Sequence, residues 1–313
     1  MVADGTITMC CYSPMMRPIV LLCLGLNACS IPATTPTPLL AEFWVPTPIH
    51  AGVLPSRGAA ESFRFLVGGH LYGDSQKSES LAATFVAAID ELATADIDLM
   101  ICCGDTFRFS SDACFEQTTA KLSKLPFPVF HAVGNHDVAV RSAYVQRFGE
   151  TYGAFVHAGC AFVLLDTEVV PWQIEGEQLQ FLSEVLVGSN ALDGLTGPNR
   201  FAADVLPLLT SAASLKPVYW CGGDIGLAHT LPAFFDHDAQ SGVTFLATGL
   251  GDDPRDAVIE VEVVGGDVHL RLRSLRDGVP GDLADYGVTK WRERFFPKGM
   301  PPQFRQLRAL LPK

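Results

Sequence analysis

The chain has 313 residues, a net charge of −12 and 48% hydrophobic residues. That length holds one large α/β domain with a full core, and the acidic balance argues against a nucleic-acid backbone as the main partner, since affinity there comes largely from Lys and Arg neutralising phosphates. Nine cysteines without a Cys-x-x-Cys spacing indicate neither a disulfide framework nor a zinc ribbon.

At the N-terminus, Arg17 precedes the apolar run Pro18 to Leu26, and Leu26-Asn27-Ala28-Cys29 follows. Positive, apolar, then small residues is the order of a secretory leader. A Cys directly after Leu-x-Ala resembles the bacterial lipobox, whose Cys is lipidated after cleavage. The run is too short to span a bilayer. The expectation is an exported protein of the bacterial periplasm or envelope, with a leader over 1–29 and a lipid anchor as its contact with the membrane. Residues 30–60 are rich in Pro, with Thr and Ala, and read as a semi-extended tether.

The first strand expected is Phe63 to Val67, ended by Gly68-Gly69-His70. Leu81, Phe85, Ile89 and Leu92 then recur at helical steps. Ile97 to Cys103 is a second strand, ending in Gly104-Asp105, and a helical segment around Phe115 to Leu122 leads to a third. That third strand, Val129 to Val133, is apolar except for His131 and ends in Gly134-Asn135-His136-Asp137. Strand, helix, strand, helix, strand, each strand ending in glycine and a polar group, predicts a parallel βαβαβ unit.

The second half begins with a hairpin around Ala158-Gly159, which makes His157 an exposed hairpin residue, and a helix including Gln178 to Val185. Short strands are expected at Pro217 to Cys221, before Gly222-Gly223-Asp224, and at Val243 to Ala247, before a Gly/Asp turn with Asp252 and Asp253. Val258 to Val263 and Val268 to Leu272 alternate strictly around Gly265-Gly266, a hairpin whose wet face carries Glu260, Glu262, Arg271, Arg273 and His269. The domain is bounded at 61–275. From Arg276 onward eight Lys/Arg and four Asp/Glu suggest a solvated tail.

The chemistry concentrates at three tips: His70, Asp105 and Asn135-His136-Asp137. Consecutive parallel strands bring their carboxyl ends to one edge, where ligands of α/β sheets collect. Imidazole, carboxylate and amide oxygen are donors for a hard-to-borderline divalent metal, and two such metals could clamp a phosphoryl oxygen and activate a water. Asp105 suits a bridging carboxylate, and His136, off the metal, a proton donor to a leaving alkoxide. Asp137 suits a supporting position that holds its neighbours. His131, pointing from a strand into the core, is structural.

Gly104-Asp105 and Gly134-Asn135-His136-Asp137 at strand ends, with Phe162-Val163-Leu164-Leu165-Asp166-Thr167 and Glu177 to Leu182, resemble the calcineurin-like metallophosphoesterase superfamily over roughly residues 63–275. The resemblance implies a four-layer α/β/β/α sandwich, a two-sheet β core flanked by helices. It further implies hydrolysis of phosphate mono- or diesters in a small-molecule or envelope substrate, with two divalent ions such as Mn, Fe or Zn. By resemblance, Asp105 bridges the metals, Asn135 binds the second, His70 binds the first, and His136 assists the leaving group.

Several family positions are substituted. Gly68 stands where the family has Asp, Arg108 where it has an acidic or amide side chain, and Gly223 and Ile225 where it has histidines. No His lies between His157 and His229. Asp224, one residue beyond a lost His, is the first candidate for a replacement ligand, ahead of Asp74, His229, Asp252 and Asp253. The alternative to a diverged enzyme is the same fold kept as a binding or scaffolding protein of the cell envelope.

Overall fold

The structure is a computed structural model. It describes residues 19–23, 45–59, 61–74, 80–169, 174–187, 201–223, 231–276 and 281–295. The expected βαβαβ unit is present: β2 (Phe63–Gly68), α1 (Ala83–Leu92), β3 (Leu99–Cys103), α2 (Asp112–Leu122) and β4 (Val129–Ala132), with β2, β3 and β4 parallel neighbours. Antiparallel β10 (Ala257–Val264) and β11 (Asp267–Ser274) extend this sheet on the β2 side, in the order β11-β10-β2-β3-β4.

The other sheet contains β1 (Ile19–Cys23), β5 (Gly153–His157), β6 (Cys160–Leu164), β7 (Val218–Gly222), β8 (Ala233–Asp238) and β9 (Val243–Thr248), in the order β5-β6-β1-β7-β9-β8. The apolar run that reads as the heart of a leader is thus paired here as an inner strand. Cys29 and the rest of 24–44 lie outside the described residues.

Strand alternation explains how the two sheets close. Phe65 and Val67 of β2 face the second sheet and meet Phe162, Leu164 and Cys221. Leu66, one residue out of phase, faces α1 and α2 with Phe85 and Phe115. On the far side of the second sheet, Val163 and Trp220 pack on α4 (Gly176–Val187) and α5 (Leu206–Ala213) through Leu182 and Leu209. The result is the four-layer α/β/β/α sandwich. Cys102, Cys103, Cys114, Cys160 and Cys221 form no disulfide and are buried, as small hydrophobes of the strands and of α2.

Three surface expectations are corrected. His157 is only 4% exposed and donates to the Asp98 carboxylate at 2.7 Å, while Arg57 Nη2 donates to the same carboxylate at 2.6 Å. A hairpin residue becomes buried because its partner lies 59 residues away. Glu260 is 2% exposed, since Arg271 and Arg273 fold over it with contacts of 2.5 and 3.0 Å; His269 and Arg271 are exposed as expected. The segment after Arg276 is not simply solvated. A 3-10 turn (Leu283–Tyr286) and α6 (Val288–Phe295) follow, Leu283 and Tyr286 are buried, and Trp291 Nε1 donates to the Ala233 carbonyl at 3.0 Å on the edge strand β8.

Candidate active site

The tips of β2, β3 and β4 converge, and backbone geometry marks the place. His70 and Asp105 have φ of 50° and 53°, a left-handed conformation that costs non-glycine residues about 1 kcal/mol or more. His70 N–H donates to the Gly104 carbonyl at 3.0 Å, which ties the β2 tip to the β3 tip. Asp105 Oδ1 accepts the His136 N–H at 3.1 Å, which ties β3 to β4. Gly134 makes this approach possible: a Cβ there would lie 2.2 Å from Asp105 Oδ1.

Asp137 holds the same loops from below. It is fully buried, and its two oxygens accept the N–H groups of Phe107 and Gly134, both at 2.8 Å. Burial, with the Asp105 carboxylate beside it, pushes its pKa well up, against the pull of the backbone donors.

The two histidines are oriented by main-chain carbonyls. His70 Nδ1 donates to Leu250 O at 2.9 Å, and Leu250 N–H donates back to Gly69 O at 3.1 Å, joining the tip of β2 to the segment leaving β9. His136 Nδ1 donates to Arg108 O at 3.0 Å. A carbonyl can only accept, so in the neutral ring the lone pair falls on Nε2, the form that takes a metal or a proton. Tyr72, 5% exposed, lies between the rings, its centroid 4.1 Å from His70 and 4.9 Å from His136. Spacing in the sequence did not point to Tyr72; the only signal was an aromatic residue in a Gly/Ser/Asp-rich loop. Asn135 is exposed and His136 half-buried, whereas His70 and Asp105 are closed over, so approach is from the β4 side.

The structure brings together His70, Asp105, Asn135, His136 and Asp137 and separates others from them. Asp252 caps α1, accepting from Ala83 N–H at 2.5 Å and Asp74 N–H at 3.0 Å. Since Ala82 has no side chain with which to cap that helix, the loop beyond β9 supplies the acceptor. Asp253 pairs with Arg255 at 2.8 Å. Asp224 and His229 lie outside the described residues. His131 is buried among Phe107, Tyr144 and Phe148, with the Tyr144 hydroxyl 2.9 Å from its Nε2, as a core histidine should be.

Among the described residues, no three His, Cys, Asp or Glu side chains are grouped to hold a metal ion. His70, Asp105 and Asn135 would leave each of two metals two donors, with Asp105 shared, where catalytic zinc sites have three plus water. The described donors alone therefore do not fit a dinuclear centre. The substituted glycines differ in kind. A Cβ on Gly68 would point away from the site, toward Met100 Cε at 2.6 Å and Leu71 Cδ2 at 3.3 Å in the helix-side core. Gly68→Asp is accordingly expected to bury an unpaired carboxylate, to cost several kcal/mol, and to leave Mn²⁺ affinity unchanged in a calorimetric titration. Gly223 has no room at all, since a Cβ would sit 1.7 Å from the Cys103 carbonyl oxygen.

Two packed sheets between helices, with a polar cluster on the carboxyl edge, define a metallophosphoesterase-type sandwich. The family model for calcineurin-like phosphoesterases matches residues 70–223, which supports membership of that superfamily. The chain carries a phosphoesterase-type hydrolase domain, of a family that generally uses divalent metals. No curated protein matches the chain.

Proposed function

We propose that the domain hydrolyses a phosphate mono- or diester, with His136 protonating the leaving oxygen and Asp105 organising the edge that receives the phosphoryl group. The observation that carries this reading is the double anchoring of His136: its N–H to the Asp105 carboxylate and its Nδ1 to the Arg108 carbonyl. The Arg108 carbonyl accepts from Nδ1–H, which leaves Nε2 as the ring atom to hand over the proton. A positioned acid of this kind contributes about 10²–10⁴-fold to rate.

For a cation, the surviving donors are His70, Asp105 and Asn135, with Asp224 as the added one. Gly223 abuts Cys103, so β7 ends beside the strand that carries Asp105, and Asp224 is the next residue. The Asp105→Ala and Asp224→Ala variants should each weaken Mn²⁺ binding measured by calorimetry; undiminished binding in the latter removes Asp224 from the site.

The decisive assay uses p-nitrophenyl phosphate and bis-p-nitrophenyl phosphate with the full chain, with and without Mn²⁺ or Zn²⁺. Slow hydrolysis is expected, with kcat falling about 10²-fold or more in His136→Ala. Activity that survives this variant removes His136 from the reaction. The second reading, a phosphoesterase fold that binds without turnover, draws on Gly223, where backbone fills a ligand position. It predicts no hydrolysis and no thermal stabilisation by either metal, whereas a metal at a hundred times its Kd stabilises by about 2.7 kcal/mol.

A further inference from the structure

We infer that Ile19–Cys23 is a permanent inner strand of the phosphoesterase domain, kept in the working protein. Strand β1 is antiparallel to both neighbours. Against β6 the register is Val20↔Leu164, Leu21↔Val163, Leu22↔Phe162 and Cys23↔Ala161. Against β7 it runs from Ile19↔Gly222 to Cys23↔Val218. Without this strand, β6 and β7 would face each other, parallel, across a gap of two strand spacings, about 10 Å. Each would then carry a row of unpaired N–H and C=O groups in the middle of a sheet whose two faces are covered. Every residue of β6 is buried, and so is every residue of β7 except Tyr219, which is half-buried. Buried backbone groups are otherwise almost always paired.

The composition of the run suits that place. Its register positions alternate between the two cores. Positions 20 and 22 are level with Leu164 and Phe162, which line the core between the sheets. Positions 21 and 23 are level with Val163 and Ala161, which face α4 and α5. A strand covered on both faces is expected to be apolar at every position, and Ile-Val-Leu-Leu-Cys is. Cleavage before Cys29 would remove this strand, so export processing and completion of the sheet are opposite fates of the same residues.

Hydrogen exchange on the full chain tests this directly. Amides of residues 19–23 should be protected to the level of β6 and β7. A chain shortened to begin at Cys29 should lose protection in β6 and β7 while β2 to β4 keep theirs. It should also melt more than about 10 °C lower, and a synthetic peptide of residues 15–27 should restore both. Exchange of residues 19–23 at the rate of an unstructured peptide in the full chain overturns the inference, as does a shortened chain that melts and exchanges like the full one. If the shortened chain does not fold, the full-chain exchange decides alone.

Discussion

Gly223→Ala is expected to destabilise the protein by about 3 kcal/mol or more, the upper end of what overpacking costs. The added methyl would overlap the Cys103 carbonyl oxygen at 1.7 Å, and the carbonyl carbon is 2.7 Å away. Both obstacles are main chain at the end of β3, so no side-chain rotation relieves them. Urea denaturation should show the midpoint falling with little change in slope. A loss under about 1 kcal/mol would show that the tips of β7 and β3 stand further apart. The same contact explains why a His cannot simply be put back at 223: its Cβ needs the space that the Cys103 carbonyl occupies.

The second large effect is on acid stability. Burial pushes the His131 pKa down from 6.5 to about 3. Its ring is surrounded by Phe107, Tyr144 and Phe148, so no neighbouring carboxylate among them offsets the desolvation. A lowered folded pKa means that the unfolded chain binds the extra proton. His131 therefore contributes stability that is complete above pH 6.5 and is lost as pH falls toward 3. By pH 4.5 the loss is roughly 2–3 kcal/mol. His131→Gln keeps a partner for the Tyr144 hydroxyl but cannot titrate. Its unfolding free energy should fall less than that of the parent between pH 7 and pH 4.5, by about that amount. Equal falls would show that the ring takes up its proton without unfolding.

The parallel half of the fold was legible because its signals are local. Apolar runs of strand length, helical recurrence at Leu81, Phe85, Ile89 and Leu92, and a glycine at each tip are all read within a few residues. The same signals placed His70, Asp105, Asn135, His136 and Asp137 at one edge. What sequence reading could not supply was long-range partnership. His157 is buried because of Asp98, Glu260 because two arginines fold over it, and Trp291 packs against a strand about sixty positions earlier in the chain. Strand β8, Ala-Phe-Phe-Asp-His-Asp, was missed because an edge strand half in water has no clean alternation. Helix α3 (Arg141–Phe148) was missed because only Tyr144 and Phe148 are buried along it. The run at Ile19 to Cys23 is the instructive ambiguity, because a short continuous apolar stretch fits a leader and a doubly covered strand equally well.

The strap over residues 45–59 protects the protein from its own copies. β4 is the last strand of its sheet, and an open edge of this kind recruits other chains into cross-molecular pairing. Here Ile49 N–H donates to Val129 O at 2.8 Å and Val53 N–H to Pro126 O at 3.0 Å. Gly52 lies flat on Phe127 and Pro128, where a Cβ would come within 2.2 Å of the Phe127 carbonyl carbon. Arg57 then pins the strap to Asp98. The segment that looks like a passive tether thus takes up part of the main-chain valence that would let copies of the protein polymerise. Gly52→Ala, which would lift the strap off Phe127, should show first as edge-to-edge aggregation, with the groups at the active edge intact.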